Sequence, residues 1–366
     1  MHPSALLGAG LRDALCVTRY DIRDTRYDKM LRDITVSHAP HISQPLSTRR
    51  VMVDVIIALV PAMAAAGYFF RYHAAVLIST CVLACAATEW LCNVIRKRPN
   101  SLDDFSAVVT GIILALSLPP SFPVWAAVVG SCFAIAIGKM VFGGLGANIF
   151  NPAMVGRAFL TASFGMLMTT WTVPATLDPA MSKVAPENMI HARTRATPLA
   201  WSKMAIKDKN GAELYNEWQF KAMVIGDIAG CLGETSAIAL LIGGLYLLIR
   251  RTISFHVPLA VLLSAFVFAA LCYFRDSYAY VQPLFHLTSG GMLLGAFFIA
   301  TDPVTAPLTR RGMWIFGAGV GAITMLIRVV GEYPEGMMFA VLLMNAVTPL
   351  IDKLCKRIPA GGRPGV

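Results

Sequence analysis

Charged residues are scarce in this sequence. Only 14% of the 366 residues are Asp, Glu, Lys or Arg, whereas 56% are hydrophobic. A soluble domain carries about 25% charged residues, so most helices of this chain are not expected to face water. Several apolar stretches reach the length of about 20 residues that spans the hydrocarbon core of a bilayer. The composition therefore predicts an all-α integral membrane protein.

Cysteines at the C-x-x-C spacing are also missing. The chain has eight Cys residues but no C-x-x-C pair, and most of the eight lie in apolar stretches, where Cys behaves as a small hydrophobic residue. Neither a disulfide framework nor an iron–sulfur cluster is predicted, and no metal site is expected. A cleavable signal peptide is not expected either, because the chain is polar and mixed in charge up to Arg50.

The basic residues do not form one patch. The formal net charge is +10, but Lys and Arg occur in short clusters between apolar stretches, a pattern that encodes membrane orientation. Nucleic-acid binding is therefore not predicted, and membrane lipid is the expected surrounding. With the N-terminus in the cytoplasm, the clusters at 96–98, 250–251, 310–311 and 353–357 all lie inside. This distribution predicts a multi-pass protein with both termini cytoplasmic.

Hydropathy predicts about ten transmembrane helices. In chain order they cover 51–70, 74–93, 105–118, 123–142, 149–171, 223–249, 256–273, 286–300, 313–330 and 336–352. The predicted organisation is an N-terminal arm at 1–50, a first membrane unit at 51–172, an outer loop at 173–221, a second membrane unit at 222–356 and a tail at 357–366.

The two membrane units share a sequence pattern. Three residues recur at a constant offset, namely Gly111, Pro119 and Pro123 as Gly295, Pro303 and Pro307. A basic residue in an apolar span follows each set (Lys139, Arg328), and then an Asn (Asn151, Asn345). Because span three runs outward and span eight inward, the pattern predicts two inverted repeats of five helices. Broken helices at matching places in such repeats mark a central site or pathway.

Polar residues at the ends of apolar spans are the candidate functional residues. Asn148 and Asn151 lie in G-G-L-G-A-N-I-F-N-P-A. Irregular backbone within a membrane protein must be buried or must line a cavity, which makes this segment a candidate site. The alternative is that its small residues serve only to pack helices together. Glu234, in G-C-L-G-E-T-S, lies inside or beside the membrane, where an ionisable group is costly and is therefore a functional candidate. The alternative is a carboxylate that caps a helix at the membrane interface. In the same segment, Thr235 or Ser236 is expected to cap a helix start. Asp302, in A-T-D-P-V-T-A-P, is a similar case.

Four segments together resemble one family. They are S-H-A-P-H-I-S from Ser37, G-A-N-I-F-N-P-A, G-E-T-S-A-I-A-L-L-I-G-G and G-A-F-F-I-A-T-D-P-V-T-A-P, in this order. They resemble the D subunit of the Rnf ion-translocating electron transport complex and the related B subunit of the sodium-pumping NADH:quinone reductase. The resemblance extends from about Ser37 to Lys356, and the short N-terminal arm favours the Rnf protein. It implies a fold similar to urea transporters, which agrees with the repeat.

The resemblance also implies a covalent FMN, esterified through its phosphate to a Thr in the outer loop. The family motif reads roughly Asp-x-x-Ser/Thr-Gly-Ala-Thr and is followed by Pro-Leu. Thr197 matches the acceptor, and Thr194 matches the Ser/Thr position. His191 replaces the Asp and Arg195 replaces the Gly; an Arg here would either hinder the transferase or pair with the FMN phosphate. Without the resemblance, the segment is a polar loop in which Thr197 is an ordinary hydroxyl.

The family implies further properties. The chain is expected to relay electrons, coupled to the transfer of Na⁺ or H⁺, and to bind a second, non-covalent flavin (riboflavin). The expected location is a bacterial inner membrane, with Rnf subunits A, B, C, E and G as partners. A periplasmic flavin transferase is expected to attach the FMN. The chain is expected to act as a subunit of an oxidoreductase and not as an enzyme alone. The candidates for lining the ion path or core flavin site are Asn148, Asn151, Glu234, Asp302 and Asn345.

Two other functions fit the sequence. One is the B subunit of the quinone reductase, which would need a quinone site and different partners. The other is a channel or secondary transporter of urea-transporter architecture without a cofactor, which explains the repeat and the broken helices equally well. A covalent flavin separates the redox functions from the cofactor-free transporter.

Overall fold

A computed structural model describes residues 47–171, 197–208, 217–333 and 335–355. All regular secondary structure within these ranges is helical, which confirms the predicted all-α class. The predicted tail, nearly all of the predicted N-terminal arm and most of the outer loop lie outside the described residues.

Fourteen α-helices lie in the described ranges. They are α1 Thr48–Phe70, α2 Tyr72–Ile95, α3 Ser106–Leu116, α4 Val124–Ile135, α5 Pro152–Ser163, α6 Gly165–Met168, α7 Pro198–Asp208, α8 Glu217–Ile225, α9 Ala237–Ile249, α10 His256–Arg275, α11 Pro283–Thr288, α12 Met292–Leu294, α13 Arg310–Val329 and α14 Met337–Leu354. Two π-helical turns, Ala136–Met140 and Gly295–Ile299, directly continue α4 and α12.

Five of these helices are long and apolar enough to cross a membrane: α1, α2, α10, α13 and α14. Their outward faces carry large apolar side chains; Leu83 in α2 and Leu271 in α10 are 69% and 66% exposed. Such a surface would be a liability in water but matches the acyl chains of lipid. Hydropathy therefore located these five spans correctly, to within a few residues at each end.

The sixth predicted span, 223–249, is not one helix. Helix α8 ends at Ile225, Gly226 takes a φ of +118°, and α9 begins only after Ser236. Ser236 caps α9, since its hydroxyl accepts a hydrogen bond from the Ala239 amide at 3.3 Å. This confirms the predicted cap. Helix α9 has 13 residues, which rise about 20 Å, so it covers part of a bilayer core of about 30 Å.

The eighth predicted span, 286–300, is also interrupted. Helix α11 ends at Thr288, Gly290 takes a positive φ of +65°, and the chain then enters α12 and its π turn. The third predicted span is the short helix α3, and the fifth is divided at Phe164 between α5 and α6. Hydropathy missed these breaks because the flanking residues are mostly apolar. The inverted repeat stays a prediction.

Glycines let the helices approach closely. In α9, a Cβ on Gly243 would overlap the Ala58 carbonyl oxygen of α1. In α13, a Cβ on Gly321 would overlap the Val261 carbonyl oxygen of α10. Small residues at such crossings are the usual means of bringing membrane helices together.

We expect Gly243→Ala to destabilise the α1–α9 contact, because the new methyl group overlaps backbone and cannot rotate away. Overpacking of this kind costs about 1–3 kcal/mol. Thermal unfolding in detergent, followed by the loss of the monodisperse size-exclusion peak, measures the change. Gly67→Ala in α1 is the matched control, because a Cβ there meets no atom within 4 Å. Equal unfolding temperatures of the two variants would contradict the close approach.

Candidate functional site

A cavity of about 720 Å³, including its opening, lies among the start of α1, the start of α3, the end of α9 and the two π turns. We call it the core cavity. Three of the five predicted path residues line it, namely Asn148, Asn151 and Asp302. Lys139 also lines it. Its wall is largely apolar with a few polar groups, a composition typical of sites for small molecules and cofactors.

Asn151 and Asn148 hold the turn at one side of the core cavity. Asn151 caps α5, accepting hydrogen bonds from the Ala153 and Met154 amides at 3.1 and 3.4 Å, and Pro152 occupies the first helical position. Asn148 donates to the Phe150 carbonyl at 3.1 Å. The buried Asn148 Oδ1, however, has no hydrogen-bond partner in the described part of the chain. An orphaned acceptor in a cavity wall is suited to a ligand donor.

The Lys139 ammonium is a buried positive charge at the core cavity. It contacts both Glu89 carboxylate oxygens at 2.8 and 2.7 Å and donates to the Ser106 hydroxyl at 2.6 Å. Both charged side chains are at most 2% exposed. Sequence reasoning noted Lys139 only as part of the repeat and overlooked Glu89. Each is an ionisable residue inside an apolar span, and that signal would have identified both.

Asp302 follows the second π turn. Its carboxylate accepts hydrogen bonds from the Val304 amide and the Thr305 hydroxyl, both at 3.2 Å. The residue is partly exposed. It therefore offers oxygen acceptors at the cavity without a buried ion pair.

Glu234 lies apart from the core cavity lining, in a second group of buried charges that we call the outer charge cluster. Its Oε1 lies 3.9 Å from Arg157 Nη2, and Arg157 Nη2 lies 3.6 Å from the Cys231 thiol. The cluster continues through Glu335, which accepts from Arg328 Nη2 at 3.4 Å. Its members are therefore Arg157, Cys231, Glu234, Arg328 and Glu335. Of these, only Glu234 was predicted as a site residue.

Arg328 and Glu335 tie the interrupted eighth span to the rest of the bundle. Arg328 donates to the carbonyls of His286 and Ser289 at 2.7 and 3.1 Å. Glu335 accepts from the Gly291 amide at 2.9 Å, across the break. These side chains satisfy backbone groups that lose their helical partners at the break, as burial without water requires.

Asn345 lies in α14 and is 1% exposed. Neither atom of its amide group has a hydrogen-bond partner in the described ranges. It is not part of the core cavity wall. The structure therefore brings Asn148, Asn151 and Asp302 together, and separates Glu234 and Asn345 from them.

Thr197 begins α7 and is 5% exposed. Its Oγ1 accepts a hydrogen bond from the Ala200 amide at 3.1 Å, so Thr197 caps the helix. Lys203 in α7 donates to the Gly331 carbonyl at 2.6 Å, and burial lowers the pKa of its ammonium. The motif positions His191, Thr194, Arg195 and Ala196 lie outside the described residues.

Interrupted helices around a cavity, together with ion pairs buried inside an apolar bundle, are typical of multi-pass membrane proteins. The comparisons with known proteins narrow this class. The profile of the NQR2, RnfD, RnfE family matches residues 35–361, so the chain belongs to that family.

Named relatives match over most of their length. The chain is 44% identical over 325 residues to the D subunit of the Na⁺-translocating ferredoxin:NAD⁺ oxidoreductase complex of Acetobacterium woodii, covering 88% of this chain and 94% of that protein. It is 39% identical over 335 residues to the proton-translocating counterpart of Clostridium ljungdahlii, covering 90% and 96%. The D subunit of the ion-translocating oxidoreductase complex of Stutzerimonas stutzeri is 42% identical over 323 residues, covering 85% and 91%.

We expect Lys139→Met to unfold the bundle at a much lower temperature, because Glu89 would be left as an unpaired buried charge. Breaking a buried pair in this way costs about 3–5 kcal/mol. Removing both charges, in Lys139→Met with Glu89→Gln, should recover most of the loss. Arg250→Met is the control, since Arg250 is 40% exposed and its partner Asp54 keeps hydrogen bonds from the Tyr246 and Thr252 hydroxyls at 3.3 and 3.1 Å. The measurement is the unfolding temperature in detergent. If the double variant unfolds at the same temperature as Lys139→Met, the Lys139–Glu89 pair is not the dominant interaction at this position.

Proposed function

We propose that this chain is the D-type membrane subunit of an ion-translocating ferredoxin:NAD⁺ oxidoreductase, an Rnf complex, and that it relays electrons through FMN esterified to Thr197. The observation that carries the proposal is the match of nearly the whole chain to D subunits. The place of Thr197, at the N-terminal end of α7, supports it. The flavin supplies one- and two-electron transfer, and the protein positions and tunes it.

Thr197 suits a phosphate ester because of its place on α7. The helix has 11 residues, and its first amides and dipole favour negative charge at this end. Esterification replaces the hydroxyl hydrogen and leaves Oγ1 in place beside the Ala200 amide. Because Thr197 is buried, we infer that the transferase acts before α7 packs against the membrane helices.

We assign the second, non-covalent flavin to the core cavity. Asn148 Oδ1, which has no partner within the described ranges, would be able to accept from a ring N–H, and Lys139, paired with Glu89, lines the same wall. Asn151 would keep the wall of the cavity in place through its cap on α5. These residues would hold riboflavin in a pocket that the interrupted helices close.

Ion transfer would follow the same cavity. Asp302 offers carboxylate oxygens, which are the ligands preferred by Na⁺-like hard cations and also accept protons. The names of the relatives include both Na⁺ and H⁺, so the two ions are alternatives for this chain too. We place the chain in a bacterial inner membrane with both termini cytoplasmic, assembled with Rnf subunits A, B, C, E and G.

We expect the purified chain, made with a flavin transferase, to keep flavin fluorescence in a denaturing gel. Thr197→Ala should abolish this signal completely, because the only esterified oxygen is lost. Thr194→Ala, which removes the neighbouring hydroxyl of the motif, is the matched control and should keep at least part of it.

No covalent flavin in the wild-type chain would contradict the proposal. It would mean that His191 and Arg195 disable the motif, and it would favour the cofactor-free transporter. Restoration of labelling by Arg195→Gly would then identify the Arg side chain as the obstacle.

We expect Asn148→Leu to lose the non-covalent flavin, since the change removes the available acceptor and fills part of the cavity. The measurement is chromatography of flavins released by acid from the purified chain, which leaves the covalent FMN on the protein. Asn345→Leu is the control because Asn345 is also buried but lies outside the core cavity. Equal flavin loss in both variants would assign the effect to unfolding and not to the cavity.

A further inference from the structure

An apolar groove runs along the outer surface of the bundle, where α10 and α13 pack against each other. Its volume, including its open side, is about 680 Å³. We call it the lateral groove. No acidic or basic side chain lines it. Its wall combines small residues with large apolar ones, among them Ala260, Ser264, Ala318, Leu263, Leu271 and Trp314. The surface is therefore suited to a flexible apolar chain.

The length of the lateral groove matches one leaflet of a bilayer. On α10 the groove extends from Ala260 to Leu271, eleven positions along the helix, which is a rise of about 16 Å. The hydrocarbon core of a bilayer is about 30 Å thick, so one leaflet contributes about 15 Å. Gly317 of α13 keeps the two helices close beside the groove, because a Cβ there would overlap the Val257 carbonyl oxygen of α10. The groove therefore has the length of a single acyl chain.

Two arginines lie at one end of the lateral groove. Arg310 and Arg311 precede Trp314 by four and three positions, a spacing that places them one turn away on the same side of α13. Both are exposed, and neither forms an ion pair with a residue in the described ranges. The Trp314 ring also lies edge-on to His256, with 6.2 Å between centroids, so α10 and α13 start at the same end.

The charge at this end favours an anionic headgroup. Arginine binds phosphate through a fork of N–H donors, and a zwitterionic lipid would add its own positive charge beside the two guanidiniums. The basic clusters of the sequence predict that this end of α13 is cytoplasmic, and the cytoplasmic leaflet is the one that carries anionic lipid. Trp314 lies at the depth at which tryptophan is enriched in membrane proteins, near the headgroups.

We propose that the lateral groove binds one anionic phospholipid of the cytoplasmic leaflet. One acyl chain lies along the groove over Ala260, Ser264 and Ala318, and the phosphate accepts hydrogen bonds from Arg310 and Arg311. The site does not depend on the proposed flavin attachment or on the core cavity. Because the lipid contacts both α10 and α13, its binding stabilises the packing of this helix pair.

The test places the full chain in phosphatidylcholine nanodiscs and adds phosphatidylglycerol or phosphatidylcholine with brominated acyl chains. Bromine quenches an indole that it contacts, and subtracting the signal of the Trp314→Phe chain isolates the fluorescence of Trp314. We expect half of the quenching at a roughly ten-fold lower fraction of brominated phosphatidylglycerol than of brominated phosphatidylcholine, because two arginines attract the anionic headgroup. Equal quenching by the two lipids would overturn the proposal.

Arg310→Gln with Arg311→Gln should abolish this preference, so that the two quenching curves coincide. Lys97→Gln with Arg98→Gln is the matched control. It removes the same number of charges from an exposed basic pair after α2, a helix that contributes no residue to the lateral groove. Loss of the preference in both double variants would assign it to the net charge of the protein and would overturn the site.

Ala318→Phe provides a second, independent measurement. Its ring fills the lateral groove from the exposed side, so the detergent-purified chain should lose the phosphatidylglycerol adduct that native mass spectrometry detects on the wild-type chain. Ile315→Phe is the matched control, because Ile315 is 50% exposed on the same helix but does not line the groove. The size-exclusion profile monitors folding and mass. Retention of the adduct in Ala318→Phe would overturn the groove as the site, and so would a dimer in which neither brominated lipid quenches Trp314, since a second copy of the chain would then occupy it.

Discussion

Backbone that leaves the helix inside a membrane must find its hydrogen bonds within the protein, and this constraint organises the whole bundle. Helices break near Gly226 and Gly290, both of which are buried, and each break leaves amides and carbonyls without helical partners. Specific side chains replace the lost partners. Ser236 caps α9, and Glu335 accepts from the Gly291 amide across the other break. The polar residues of this apolar chain are therefore concentrated where the backbone is irregular.

The buried charges follow from the same constraint. A carboxylate or ammonium in an apolar interior is tolerated when it is paired and hydrogen-bonded, and it is costly alone. Lys139 is paired with Glu89, and Arg328 with Glu335. Lys139 and Arg328 are the two basic residues that the sequence pattern placed at matching positions in the two units. Their similar settings extend that pattern from sequence to contacts, although the inverted relation of the units stays a prediction.

The sequence predicted the features that depend on local chemistry. Runs of apolar residues identified the five long helices. A cap was expected at Thr235 or Ser236, and Ser236 supplies it. The segments around Asn151 and Asp302 were predicted as candidate sites, and both line the core cavity. It did not reveal features that depend on distant contacts. Glu89 and Arg157 lie in spans that hydropathy treats as uniform, and their partners are far away in the chain. The breaks in spans six and eight were missed because glycine and small apolar residues do not lower hydropathy.

Helix α5 lies between the core cavity and a second, smaller cavity beside the outer charge cluster, the outer cavity. It is capped by Asn151 in the wall of the core cavity, and it carries Arg157 and Thr161 in the wall of the outer cavity. Thr161 lies ten positions after Asn151, which along a helix is a rise of about 15 Å. One rigid element therefore fixes the spacing of the two cavities, whatever the outer loop does. Arg157 also approaches Glu234 at the break before α9, with 3.9 Å between Nη2 and Oε1. The helix that borders both cavities is therefore also in contact with an interrupted span.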